Sequence, residues 1–197
     1  YLTLAEEYDT MKKNVNVKIP NKEILEMFSE MFIEIYFESY ETFLYMTNAL
    51  KNGDIEKFKL ELNKILLENV GIFDVSGAYK EQFYHGLILG LILKLKNEYE
   101  ITSNNFAEKG RYDLLLKPKN ILRSKEGIIF ELKIVNVTEK LDEGQIREKL
   151  KNECEIALKQ IEEKEYVSVL RNAGIEKVLK IGIAFYGKEF EVKFERE

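Results

Sequence analysis

The stretch Ile128-Ile-Phe-Glu-Leu-Lys-Ile-Val135 has the pattern of a buried β-strand, yet it contains two charged residues. A charge placed in a sheet that is covered on both faces costs several kcal/mol unless a partner compensates it. Because side chains alternate along a strand, Glu131 and Lys133 share one face while Phe130 and Leu132 point to the other. The strand therefore predicts a functional site in the core of the fold.

A second acidic residue stands at the start of an apolar run that lies earlier in the chain than residues 128–135. Asp113 stands directly before Leu114-Leu-Leu116, so Asp113 and Glu131 converge if the two strands pair. Two carboxylates and the main-chain carbonyl of Leu132 are hard oxygen ligands, which suit Mg²⁺. Lys133 would then orient or deprotonate a water and steady the charge that develops on a phosphate. The alternative is a buried structural ion pair.

The composition excludes several classes of protein. With 197 residues, 45% hydrophobic residues and two prolines, the chain is expected to fold around one full core. A single cysteine, Cys154, excludes an internal disulfide, and with the single histidine, His85, it excludes a Cys/His zinc site. We therefore expect a cytoplasmic protein. No apolar run approaches the ~20 residues of a membrane helix, so no membrane partner is expected.

The charge is unevenly distributed along the chain. Lys and Arg number 30 and Asp and Glu number 35, a net charge of −5 that argues against binding of nucleic acid through a global positive field. The segment 114–125, however, contains four basic residues and no acidic one. These are Lys117, Lys119, Arg123 and Lys125. Such a loop either contacts a polyanion beside the site or is simply solvated.

The predicted elements from residue 76 onward follow the order α, β, β, β, α, β, β. A helix starts after Ser76 or Gly77 and ends near Leu95, with Gly86 and Gly90 predicting a face of close approach. The later elements are strands 99–104, 112–116 and 128–135, a helix over 145–172, and strands 178–186 and 190–194.

Two amphipathic helices are predicted ahead of these elements. Asn21 caps a helix that ends at Leu50, and Asp54 caps a second helix that ends near Gly71. We therefore expect the chain to consist of three regions: a strand-like connection over 1–20, a helical subdomain over 21–73 and the sheet-containing domain over 74–197.

The motif Gly110-Arg-Tyr-Asp113, followed eighteen residues after the Asp by Glu131-Leu-Lys133, resembles the PD-(D/E)XK nuclease superfamily. Tyr112 stands where the motif has a proline, a change that the superfamily often shows. The resemblance implies an α/β fold with a restriction-endonuclease-like αβββαβ core and a mixed sheet, preceded by the helical subdomain. It also implies that Glu81 on the first core helix joins the metal site and that Gln160 on the second helix joins the catalytic residues.

Further segments are similar to bacterial proteins in which the nuclease domain follows an AAA-ATPase-like domain. They are Glu81-Gln-Phe-Tyr-His-Gly86, Thr102-Ser-Asn104 and Ala157-Leu-Lys-Gln-Ile161 with Tyr166. This resemblance implies that an ATPase-like domain of the same protein precedes residues 1–20.

The resemblance implies a metal-dependent nuclease that uses Mg²⁺ or Mn²⁺ and acts on DNA in preference to RNA. Asp113, Glu131, Lys133 and Gln160 would be catalytic, and Asp113, Glu131, Leu132 and Glu81 would hold the metal. Arg111 and the basic residues Lys117, Lys119, Arg123 and Lys125 would contact phosphates. The alternative is a catalytically inactive nuclease-like module that binds nucleic acid or a protein partner. A third hypothesis is a structural domain that docks on the ATPase.

Overall fold

The computed structural model describes residues 3–4, 17–18, 20–21, 23–24, 27, 40–69, 71, 80–120, 126–137 and 141–197. The chain divides into two units, Tyr1–Leu44 and Tyr45–Glu197. In the first unit, strands β1 (Thr3–Leu4) and β2 (Val17–Lys18) pair antiparallel. Asn21 Oδ1 accepts a hydrogen bond from Ile24 N at 2.9 Å, as predicted for a helix cap. Residues 28–39 of the predicted first helix lie outside the described residues, and the division at residues 20 and 73 stays a prediction.

The described helices ahead of the sheet are α1 (Tyr40–Lys51), α2 (Ile55–Asn69) and α3 (Lys80–Ile92), the last followed by a 3₁₀ turn over Leu93–Asn97. Asp54 caps α2, because its Oδ1 accepts from Lys57 N at 3.1 Å. Gly53 before it has φ +68°, a left-handed conformation that favours glycine. The predicted start of the third helix lies in the undescribed segment 72–79. In the described part of the chain, no helix combines the length and apolarity that a membrane span requires.

A five-stranded mixed sheet follows, with strand order β3-β4-β5-β6-β7. Its strands are β3 (Tyr99–Ala107), β4 (Gly110–Pro118), β5 (Gly127–Ile134), β6 (Val178–Tyr186) and β7 (Glu189–Arg196). Strands β5 and β6 are parallel and the other neighbours are antiparallel. Helix α4 (Glu143–Glu163) makes the crossover that parallel strands require. The α/β fold and the restriction-endonuclease-like element order are as predicted.

Helices cover both faces of the sheet. On β6, Ala184 packs in one core cluster with Cys154 of α4. Its neighbour Phe185 points to the other face, where its ring stacks on Tyr84 of α3 with centroids 4.1 Å apart. On β5, Phe130 packs against an aromatic ring of α2. A charge on β5 therefore lies in a sheet without a solvent face, as the sequence predicted.

The helix predicted over 145–172 is in fact two helices, so that prediction is wrong. Helix α4 ends at Glu163, and α5 spans Ser168–Arg171. Between them Glu165 has φ +54°, which a continuous helix cannot contain. The apolar pattern continues across the break because Tyr166 and Leu170 are buried in the same core cluster as residues of α4. Periodicity alone therefore could not locate the break.

The close approach of two main chains occurs at Gly182, and its prediction at Gly86 and Gly90 is wrong. A Cβ built at Gly86 or Gly90 would have no described atom within 4 Å. A Cβ at Gly182 of β6 would lie 2.6 Å from the carbonyl oxygen of Cys154 and 3.0 Å from the Cβ of Ala157. Helix α4 thus lies directly on bare strand backbone.

We expect Gly182→Ala to lower the free energy of unfolding by about 1–3 kcal/mol, because α4 must move away from β6. Urea denaturation followed by circular dichroism measures this change. The matched control is Gly86→Ala on the exposed side of α3, which should leave stability unchanged or raise it by about 0.5–1 kcal/mol through helix propensity. Equal midpoints for Gly182→Ala and wild type would contradict the packing of α4.

Candidate active site

Strands β4 and β5 separate where the two acidic residues lie. Their ladder pairs Leu114–Leu116 with Ile128–Phe130 and stops at the Leu114–Phe130 pair, the end farther from the β4–β5 connection. Beyond it, β4 stays paired with β3 and β5 stays paired with β6. Asp113 and Glu131 come directly after the last pair, one on each arm of this fork. The fork therefore exposes main-chain groups of β5 to side chains and ligands.

Asp113 occupies the fork. Its Oδ2 accepts a hydrogen bond from Leu132 N at 2.7 Å. Because a strand residue directs its N–H and C=O to the same side, the Leu132 carbonyl also points into the fork. Burial raises the pKa of the Asp113 carboxyl, while the Leu132 N–H and the Lys133 charge partly offset that rise. Two of the predicted metal ligands thus lie side by side.

Glu131 is a buried carboxyl with one satisfied oxygen. It is 3% exposed, and its Oε1 accepts from Lys133 Nζ at 2.9 Å and from Gln160 Nε2. Its Oε2 is buried and has no hydrogen-bond partner among the described residues. Burial, followed by the charge of Asp113, raises the pKa of Glu131 to about 7, although Lys133 and, more weakly, the main-chain N–H of Asp113 offset part of the rise. A purely structural ion pair leaves Oε2 unsatisfied, whereas a cation would satisfy it.

Lys180 shows how the same sheet satisfies a buried charge that is structural. Its Nζ lies 2.9 Å from Glu162, 3.1 Å from Glu195 and 3.0 Å from Glu197. Every N–H of the ammonium group has a carboxylate acceptor. The unpaired Oε2 of Glu131 contrasts with this arrangement and points to a ligand.

The contacts of Tyr166 decide which atom of the Gln160 amide faces Lys133. Tyr166 OH donates to the carbonyl oxygen of Arg111 at 2.7 Å, since a carbonyl can only accept. The Tyr166 oxygen therefore accepts from Gln160 Nε2, at 3.2 Å. This leaves Gln160 Oε1 facing Lys133 Nζ, which donates to it at 2.6 Å. Tyr166 thus orients the amide that holds the lysine.

A cavity of about 290 Å³ opens on the α3 side of the fork. Its lining includes Glu81, His85, Asn104, Arg111, Asp113 and Leu132. Glu81 is exposed in the first turn of α3, and its charge adds to burial in raising the pKa of Asp113. Among residues 80–120, 126–137 and 141–197, no three His, Cys, Asp or Glu side chains group as a metal site. The donors at the fork are therefore two carboxylates and a carbonyl, and direct ligation by Glu81 stays a prediction.

Asn104 bends β3 opposite Asp113. It has φ +50°, and the β3–β4 ladder omits its pair with Asp113 while pairing on both sides of it. His85 Nε2 lies 3.2 Å from Asn104 Nδ2 and 3.3 Å from the Asp113 carbonyl oxygen. No role for Asn104 or Tyr166 was predicted from the sequence. Asparagine tolerates the left-handed region better than most residues, but an asparagine in a strand does not by itself predict a bend. The bend opposite Asp113 becomes visible only when the pairing of β3 with β4 is known.

Of the basic residues predicted to contact phosphate, Arg111 is the described one that lines the cavity. Lys117, about 13 Å along β4 from the fork, pairs with Glu100 of β3 at 2.6 Å. Lys119 Nζ donates to a main-chain carbonyl of the 3₁₀ turn at 2.7 Å. The remaining two, Arg123 and Lys125, lie outside the described residues.

A family model described as the PD-(D/E)XK nuclease superfamily matches residues 79–195. The match spans the fork, the cavity and the Gln160–Tyr166 contacts. The chain belongs to this superfamily, whose members generally use divalent metals.

No curated protein matches the chain in sequence. Among solved structures, one described as "Crystal structure of SSO0001" is similar at 14% identity and a TM-score of 0.25, over 88% of this chain and 77% of that chain. This likeness is too small to bear on the fold.

The residues at the fork fit a divalent cation. They provide the carboxylates of Asp113 and Glu131 and a strand carbonyl, all of them hard oxygen donors, and Oε2 of Glu131 has no hydrogen-bond partner among the described residues. Lys133 leaves this oxygen free, because its contact is with Oε1.

In the metal-free protein, the free energy of unfolding should fall as the pH rises from 5 to 8. The folded-state pKa of Glu131, about 7, exceeds its ordinary value of 4.5, so ionisation favours the unfolded chain. We expect Glu131→Gln to remove about 1–3 kcal/mol of this fall. Urea denaturation in EDTA at four pH values measures it. Glu163→Gln, an exposed change on α4, is the control, and identical pH profiles for both variants would contradict burial of the Glu131 charge.

Proposed function

We propose that this chain is a nuclease that hydrolyses phosphodiester bonds of nucleic acid with the help of Mg²⁺ or Mn²⁺. One observation carries the proposal: in a chain of this superfamily, a buried carboxylate oxygen of Glu131, beside Asp113 and Lys133, has no hydrogen-bond partner in the part of the chain that the structure describes. Membership of a nuclease superfamily supports nucleic acid as the substrate. Preference for DNA over RNA rests on the sequence resemblance.

Asp113, Glu131 and the Leu132 carbonyl would hold the cation, with Glu81 adding to them from the cavity side. When bound, a divalent cation supplies Lewis acidity toward the phosphate and the attacking water. Because burial and the charge of Asp113 raise the pKa of Glu131 to about 7, a cation bound there would displace a proton near neutral pH, so its affinity should rise with pH.

Lys133 would position the attacking water and stabilise negative charge on the phosphate. Two of its three N–H groups are used, one by Glu131 Oε1 and one by Gln160 Oε1. The third is left for water or a phosphate oxygen. Because its two partners are themselves held by other contacts, the ammonium group is preorganised for this task.

We further propose that the nuclease acts in the cytoplasm together with an AAA-ATPase-like domain of the same protein. The resemblance of the segments around Glu81, Asn104 and Ala157 to such proteins supports this link. Cleavage by the full-length protein that depends on ATP would support it, and equal rates with and without ATP would count against it.

Cleavage of single- and double-stranded DNA and RNA with Mg²⁺ or Mn²⁺ tests the nuclease proposal. We expect Asp113→Asn and Lys133→Met to lower the rate by about 10²-fold or more, because each removes an interaction with the reacting groups. The matched controls are Glu163→Gln and Lys159→Met, which alter exposed side chains on α4 and should cleave like wild type. Equal activity in all five proteins would mean that the site is wrong.

Calorimetric titration with Mn²⁺ separates this proposal from the binding module without catalysis. The nuclease should bind Mn²⁺ at the fork, and Asp113→Asn should weaken that binding at least about tenfold. If the wild-type protein binds nucleic acid but does not bind Mn²⁺ and does not cleave the nucleic acid, the inactive binding module is favoured.

Tyr166→Phe should lower kcat by about tenfold with little change in KM, because Gln160 loses the contact that orients it toward Lys133. Steady-state kinetics measures the two parameters. Tyr112→Phe is the matched control, since it removes a neighbouring buried hydroxyl whose 2.8 Å contact is with Thr102 and not with the site. An equal effect of both substitutions would mean that the loss is one of packing alone.

A further inference from the structure

The β3–β4 hairpin presents an exposed aromatic ring beside the cavity. Phe106 is 77% exposed, the largest value among the large hydrophobic side chains of the described residues. Its cross-strand partner is Arg111, which lines the cavity with Asp113. The ring therefore contributes little to the core and lies on the element that carries a predicted metal ligand.

Strand alternation places Phe106 on the cavity side of the hairpin. Residues directly opposite each other in an antiparallel pair share a face, and neighbours along a strand alternate. Tyr112 points toward α4, because its ring meets that of Tyr166 with centroids 6.0 Å apart. Arg111 and Phe106 consequently point to the α3 side, where the cavity opens. Asp113 lies two positions after Arg111, about 7 Å along the strand.

The β3–β4 hairpin is paired up to its turn, and its tip contacts the turn that follows α4. Lys109 pairs with Glu165 in the turn between α4 and α5. Phe106 N donates to Asn105 Oδ1 at 2.8 Å, and the ladder continues to the pair Ala107–Gly110. A ring carried on a fixed hairpin loses little conformational freedom when it binds a ligand.

We propose that Phe106 and Arg111 form a stacking site for an unpaired nucleobase next to the phosphodiester at Asp113. This inference rests on the proposed function and names its substrate class: single strands, or the unpaired ends and loops of duplexes. An aromatic ring stacks on any base, so the site is independent of sequence. Arg111 contributes a guanidinium group for the adjoining phosphate. A base inside a duplex has both faces covered and cannot occupy the site without unstacking.

A tryptophan at position 106 reports on the site directly, because the chain contains no tryptophan. The probe is Phe106→Trp in a Lys133→Met background with Mn²⁺, which binds substrate without cleaving it. Single-stranded oligodeoxynucleotide should quench its emission saturably, and blunt duplex should not. Phe194→Trp is the control, since Phe194 is an exposed aromatic residue on the opposite edge strand, β7. Equal quenching at both positions, or none at Phe106→Trp, overturns the inference.

Binding and cleavage by Phe106→Ala supply the second measurement. The dissociation constant for single strands should rise about 5- to 100-fold, the loss expected for one stacked base, while duplex binding stays unchanged. Phe106→Tyr should restore single-strand binding, and Phe194→Ala should behave like wild type. Size-exclusion chromatography should show the same oligomeric state for Phe106→Ala and wild type.

The outcomes separate this inference from the nuclease proposal. If wild type cleaves but Phe106→Ala binds and cleaves single strands equally well, the stacking site is wrong and the nuclease proposal stands. If Phe106→Ala changes the oligomeric state, the ring serves an interface between copies and the inference is overturned. If wild type neither binds nor cleaves nucleic acid, both proposals are contradicted.

Discussion

The rest of the site depends on one buried carboxylate oxygen, Oε2 of Glu131, which has no hydrogen-bond partner among the residues that the structure describes. Leaving it unpaired is costly in a sheet that helices cover on both faces. The buried ammonium of Lys180 in the same sheet has three carboxylate partners, so the fold is able to satisfy a buried charge. At Glu131 the described residues provide no such partner for Oε2. Proteins often leave a polar group unsatisfied at a site that binds a ligand.

The fork between β4 and β5 places further oxygen donors near Oε2 of Glu131. A continued ladder would consume the main-chain groups of Leu132, whereas separation of the strands gives its N–H to Asp113 and directs its carbonyl to the same place. Both arms stay rigid, because β3 and β6 continue to pair with them. The site therefore lies on fixed strands while keeping an open side toward the cavity.

The break between α4 and α5 serves two parts of the site at once. The left-handed residue Glu165 ends the helix and lets Tyr166 turn back toward Gln160, which orients Lys133. Glu165 itself pairs with Lys109 at the tip of the hairpin that carries Phe106. One local departure from helical geometry thus connects the residues around Lys133 with the surface where we place the nucleobase.

Local pattern was sufficient for the order of the strands and to select Asp113, Glu131 and Lys133 as candidates, because two charges in an apolar strand and an acid in the preceding strand are visible in a few residues. The family resemblance supplied Gln160, whose carbonyl the structure places on Lys133. Residue pattern and resemblance thus predicted the fold class, which the structure confirms, and supplied the main side chains that we propose for the site.

Contacts between distant segments decided the rest. The apolar period runs on through the helix break, so only the packing of Tyr166 against Tyr112 reveals the turn. Gly86 and Gly182 look alike in sequence, yet only Gly182 lies under a helix. The end of the β4–β5 ladder and the bend at Asn104 depend on strand register. Such features arise from pairs of residues far apart in the chain, which neither periodicity nor local propensity contains.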